Sequence, residues 1–169
     1  MLNFMTSLPV ILFSRPRTTP PTEWAEVGRG PGDITLPDGH EYGFRIRNIG
    51  DDELDILVKE LAQVDPLVFA NLSENRNIDD EGIELLRFLP KLRILNLSSC
   101  GLTNAGIENL KVLEHLAELD LSFCNRLTGL SLKYLREMLS LQKLNLQGCV
   151  KITNGDMARF RRPNIALKK

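Results

Sequence analysis

Between residues 67 and 160 the apolar and polar positions follow one short pattern four times. Residues 92–100 read LRILNLSSC, 116–124 read LAELDLSFC and 141–149 read LQKLNLQGC, with a looser copy, LVFANLSEN, at 67–75. The first leucines of successive copies stand 24 or 25 residues apart. Inside each copy, as in Leu95-Asn96-Leu97, apolar residues alternate with polar ones, the period-two signature of a short strand with one face in a core. A second pattern follows each strand: Ile107 and Leu110, Leu132 and Leu135, Met157 and Phe160 recur at i, i+3, which predicts a short helix with one apolar face. Thr103, Thr128 and Thr153 stand just before these pairs, where a hydroxyl can accept from an unpaired helix amide.

One such strand cannot be stable alone. Stacking the copies in parallel, about 4.8 Å apart, places Leu95, Leu119 and Leu144 in one buried column and Leu97, Leu121 and Leu146 in the next. The spacing and the L-x-x-L-x-L-x-x-N/C core are those of leucine-rich repeats. The expected fold is therefore α/β: a leucine-rich repeat solenoid, an open horseshoe segment with parallel strands on the concave face and short helices on the convex face. Residues 141–153, LQKLNLQGCVKIT, and 116–128, LAELDLSFCNRLT, resemble more narrowly the cysteine-containing repeats of F-box/LRR proteins and their relatives. The resemblance covers about residues 67–160, and the first copy departs from it with Asn75 in place of cysteine and Ala70 in place of leucine. It implies the substrate-recognition part of a ubiquitin-ligase adaptor, although no F-box-like segment is recognisable upstream of the repeats.

Residues 1–43 read as an N-terminal capping segment and 44–169 as the repeat domain. A stack of repeats leaves apolar surface bare at its ends, so an atypical cap is expected. Residues 9–14 predict a strand that closes that end. The stretch 15–40 is rich in proline and glycine, and residues 33–36 and 40–44 flank Pro37-Asp38-Gly39 in the manner of a tight β-hairpin. Trp24 is expected to anchor this segment on the first repeat. Residues 44–49 predict a strand presenting Arg45 and Arg47 outward, and 51–61 an amphipathic helix. GRGPG at 28–32 is a poor phosphate loop, because it lacks the lysine and Pro31 removes an amide. Residues 163–169 fall where a further repeat would begin, as a closing strand or as one piece of a longer array.

Charge narrows the partners. Twenty-one Lys and Arg against 22 Asp and Glu give a net charge of −1, with no overall pull toward nucleic acid or anionic lipid. The basic end formed by Arg159, Arg161, Arg162, Lys168 and Lys169 reads as a solvated terminus. The acidic trios Asp51-Asp52-Glu53 and Asp79-Asp80-Glu81 suit the first turns of helices better than a divalent cation. Cys100, Cys124 and Cys149 share one repeat position and read as buried thiols, with neither disulfide nor zinc chemistry. Neither metal nor cofactor is expected. His40 and His115 have no nucleophile or carboxylate constellation around them, so no enzyme activity is expected. Residues 1–13 lack the basic start and cleavage site of a secretory signal. No run of about 20 apolar residues predicts a membrane span, and reduced thiols favour a cytoplasmic location.

The strand residues that alternate with the core leucines must line the other face. They are Phe69, Ile94, Glu118 and Lys143 in one row and Asn71, Asn96, Asp120 and Asn145 in the next, with Arg45 and Arg47 from the first repeat and Phe123 and Gln147 from the turns beyond. Phe69, Ile94 and Phe123 are the candidate apolar anchors, and the Asn/Asp row is expected to hydrogen-bond between neighbouring strands. The function expected is a non-enzymatic protein–protein interaction module that binds a protein or peptide through this face. A ligase-adaptor part and an assembly subunit of a larger complex are the alternatives.

Overall fold

The computed structural model describes residues 1–18, 20–160 and 162–169; Arg161 of the expected basic end lies outside them. Ten strands and five α-helices are described: β1 (Leu2–Thr6), β2 (Ile11–Pro16), β3 (Ala25–Arg29), β4 (Gly32–Leu36), β5 (His40–Arg45), α1 (Asp51–Leu61), β6 (Leu67–Asn71), α2 (Asp80–Leu85), β7 (Ile94–Asn96), α3 (Asn104–Asn109), β8 (Glu118–Asp120), α4 (Ser131–Glu137), β9 (Lys143–Asn145), α5 (Asn154–Arg159) and β10 (Ala166–Lys168). Eight of the strands form one open sheet in the order β10-β9-β8-β7-β6-β5-β2-β3. From β5 to β10 every pairing is parallel; β2 and β3 complete the sheet in antiparallel fashion.

The register follows from the leucine spacing. Phe44, Ala70, Leu95, Leu119, Leu144 and Leu167 stand opposite one another across six strands, and all but Leu167 are buried. Ala70, small where its equivalents are leucine, sits between Leu95 and the fully buried ring of Phe44, which supplies the missing volume. The ladder runs one residue past each strand: Leu72, Leu97 and Leu121 donate their amides to the carbonyls of Asn96, Asp120 and Asn145. Beyond it, the thiols of Cys100, Cys124 and Cys149 donate to the carbonyls of Leu72, Leu97 and Leu121 in the preceding layer, at 3.1, 3.2 and 3.1 Å. Asn75 takes this place in the first copy. Its amide nitrogen donates to Ile46 and Leu72 and its oxygen accepts from the Ile49 amide, at 3.0, 2.9 and 3.1 Å.

The helices cover one face of the sheet. Those after α1 have six or seven residues, too short to persist without packing, and they bury Ile83, Ile107, Leu132 and Leu135 against the strands. Helix starts are tied from layer to layer. Asp51 accepts from the Asp79 amide, Asp80 from the amides of Thr103 and Gly106, and Asn104 from that of Thr128. Two members of the acidic trios thus join neighbouring repeats, and no group of three potential metal ligands occurs among the described residues. Thr103 and Thr153 cap α3 and α5 as expected. Thr128 does not cap α4, which begins three residues later; its hydroxyl serves a turn ahead of the helix, accepting from Leu130 and Asn104.

The cap differs from the expected hairpin. The strands on either side of Pro37-Asp38-Gly39, β4 and β5, belong to different sheets. Both edges of β5 are taken, by β2 and by β6, so β4 pairs instead with β1. β5 also straddles the boundary drawn at residue 43, and cap and repeats share one sheet. The β1–β4 ribbon encloses the core end with Phe4, Ile34 and Leu36. It is fastened to α1 by Glu60, which accepts from the Thr6 hydroxyl and from the Ser7 amide and hydroxyl. Burial pushes the Glu60 carboxyl up, but these hydrogen bonds outweigh it and hold it below the usual glutamate range. The ionised form is therefore favoured by folding, and its contribution is present at neutral pH and fades as pH falls through the depressed value. Glu60→Gln is expected to lower the melting temperature at pH 7. Melting curves taken down to pH 3 should show the gap between variant and wild type closing below about pH 4.3, the ordinary glutamate value.

Candidate functional site

The face of the sheet away from the helices carries the alternate residues of each strand. One row reads Phe13, Gly43, Phe69, Ile94, Glu118, Lys143 and Ala166, and the next Ile11, Arg45, Asn71, Asn96, Asp120, Asn145 and Lys168. Between β6 and β10 these rows line a groove of about 600 Å³. Eight of the twelve expected residues meet there: Phe69, Asn71, Ile94, Asn96, Glu118, Asp120, Lys143 and Asn145, joined by Ala166 and Lys168. Arg45 continues the second row and, with Arg47, lines a separate depression beside Pro9 and Asn48. Phe123 lies on the rim beyond the strand ends, in a third pocket. Gln147 is exposed in the turn after β9.

The Asn/Asp row does a different job from the one expected. Asn71, Asn96, Asp120 and Asn145 each use a side-chain oxygen to accept the amide two residues on, at 3.1, 2.9, 2.8 and 3.1 Å. That bond closes the turn that ends each strand. One pair bonds between strands as anticipated, the Asn145 amide donating to Asp120 at 2.9 Å. Half of each side chain is therefore committed to the fold, and its remaining atoms face the groove. Glu118 and Lys143 pair at 2.7 Å across neighbouring strands, which leaves that part of the face without net charge.

Phe69 is not the free anchor that its place in the row predicts. It is partly buried, with Trp24 tilted against it at 5.3 Å and Phe13 at 6.3 Å between ring centroids. The ring lies over Gly43, where a Cβ would collide with it. Trp24 is held in turn by the Arg15 guanidinium, 4.4 Å from its ring. Arg15 pairs with Glu41 at 2.6 Å, and Glu41 is also paired with Arg93. Trp24 thus lies on the sheet face at the first repeat, against Phe69. Phe13, Arg15 and Trp24 are distant in sequence from the repeats and carry no period; the usable signal was Gly43, a glycine between two apolar strand residues, which marks a close approach.

Burial pushes the Cys100 and Cys124 thiols up to about 12 and raises Cys149 as well, so these sulfurs stay protonated at neutral pH. Ser14 and His40 lie 3.1 Å apart, but Ser14 is 2% exposed and out of reach of a substrate.

A family model described as a leucine-rich repeat matches residues 88–111. This stretch holds a leucine-rich repeat. It runs from the turn before β7 through α3. No curated protein matches the chain. Leucine-rich repeats generally bind proteins, so the match suggests a protein-interaction module. No helix among the described residues is long and apolar enough to cross a membrane.

Proposed function

We propose that the chain is a non-enzymatic protein-interaction module, a solenoid of leucine-rich repeats whose concave strand face binds a protein or peptide partner. The observation that supports this most is the groove between β6 and β10. The fold directs two rows of side chains out of the core there, with Ile94 and Ala166 as apolar contacts and Asn96, Asp120 and Asn145 as hydrogen-bonding ones. Such a surface, a little apolar area with a few fixed polar groups, suits recognition of an extended segment.

Ile94 lies near the middle of the first row and is partly exposed, so a charge there stays hydrated at little cost to folding. Ile94→Lys is expected to remove specific partners captured by the immobilised protein, measured by quantitative mass spectrometry, while Val112→Lys on the helix side leaves them bound. Equal capture by both variants would overturn the assignment to the strand face. The narrower reading, a ligase adaptor, would add a ligase scaffold among the proteins captured.

A further inference from the structure

The pocket beyond the strand ends has a composition of its own. Its volume is about 510 Å³, and it lies between the loops that follow β6, β7 and β8, lined chiefly by Arg76, Ser99, Gly101, Phe123, Asn125 and Arg126. Phe123 is 53% exposed and sits at φ +61°, in the left-handed region. In the next layer the same place is held by Gly148, which adopts φ +75° without strain. A bulky side chain in this conformation is costly, and here it holds an aromatic ring out toward solvent, braced on Gly148. Arg126 is fixed beside it by donating to the Gly101 carbonyl at 2.6 Å. No ion pair among the described residues involves Arg76 or Arg126.

We propose that this rim pocket binds an acidic peptide segment of a protein partner, a carboxylate seated between Arg76 and Arg126 and an adjacent apolar side chain packed on the Phe123 ring. Two cations without internal carboxylates select an anionic ligand, and guanidinium groups suit a carboxylate in paired hydrogen bonds. The ring provides the apolar contact that places this ligand at Phe123 rather than anywhere along a charged surface. A nucleic acid strand would need cations continuing along the rim. On one side the next, Arg47, is occupied by Glu74 at 3.3 Å, and on the other Lys151 follows, but its turn, residues 147–153, contains no aromatic residue on which a base could stack. The inference rests on the proposed protein-binding role and adds a chemical class of partner.

The test uses an array of blocked octapeptides in which each apolar residue type is flanked by two glutamates, a matched array with glutamine in their place, and decauridine. The full-length protein is expected to bind members of the acidic array at least tenfold more tightly than their glutamine counterparts. In an amide correlation spectrum the shifts should centre on Ser99, Gly101 and Asn125. Arg76→Gln combined with Arg126→Gln should weaken binding at least tenfold. Phe123→Gly should do the same without lowering the melting temperature, since it relieves the left-handed conformation; a merely structural ring would instead lower it. Absence of binding across the acidic array, equal binding of the glutamine array, or tighter binding of decauridine overturns the proposal. Peptide binding lost in Ile94→Lys but kept in the arginine double variant would place recognition in the central groove, so this pocket would fail while the protein-binding reading stands.

Discussion

Replacing Asn75 by alanine is expected to destabilise the protein by about 3 kcal/mol, seen as a fall of roughly 6–12 °C in melting temperature for a chain of this size. Asn75 is 1% exposed and its side chain joins three backbone groups in two loops: the carbonyls of Ile46 and Leu72 and the amide of Ile49. Truncation leaves the Ile46 carbonyl and the Ile49 amide desolvated and unpartnered, at roughly 1–3 kcal/mol each before water enters the space, while the Leu72 carbonyl keeps the Cys100 thiol. Asn75→Cys should recover only part of the loss. A thiol there can repeat the bond that Cys100 makes to the layer before it, reaching the Ile46 carbonyl, but it cannot serve Leu72 and Ile49 together. Thermal melts of the three proteins decide the order, and a variant Asn75→Ala as stable as wild type would remove asparagine from its role in joining the first two layers.

The second large effect belongs to the leucine columns. Leu121 is fully buried in the middle of the stack, so Leu121→Ala loses both transfer energy and packing and is expected to cost about 2–5 kcal/mol. Leu167 is 38% exposed on the outermost strand, and Leu167→Ala should cost less than about 1 kcal/mol, since much of that side chain is already in water. Urea denaturation of both variants measures the difference. Comparable losses at the two positions would mean that burial does not rise toward the centre of the stack.

What the sequence made legible is what repeats. The strand register, the facing leucines and the bounds of α1 follow from periods that short-range spacing carries, because each layer repeats the environment of the last. The cap was read less well for the opposite reason. Pro37-Asp38-Gly39 has the composition of a hairpin turn, yet pairing depends on which strand edges are vacant, and β5 has none left once β2 and β6 are in place. Thr128 shows the same limit on a smaller scale: its position fits a cap, but Gly129 and Leu130 form a turn before the helix begins. At the site, alternation alone gave the rows of the groove. It could not show that Phe69 is wedged between Gly43 and Trp24, since that contact joins segments with no common period, nor that Arg76 and Arg126 line one pocket with Phe123, since the turn residues beyond the leucines differ from copy to copy.

Both the groove and the rim pocket depend on which residues stand opposite one another in neighbouring strands, because a shift of one residue turns every side chain to the other face. The direct measurement is the scalar coupling across backbone hydrogen bonds in the labelled protein. The fold predicts correlations from the Leu72 nitrogen to the Asn96 carbonyl carbon, from Leu97 to Asp120 and from Leu121 to Asn145. Correlations displaced by one residue along any of these strands, or connecting them in antiparallel order, would contradict the stack and with it the face proposed to bind.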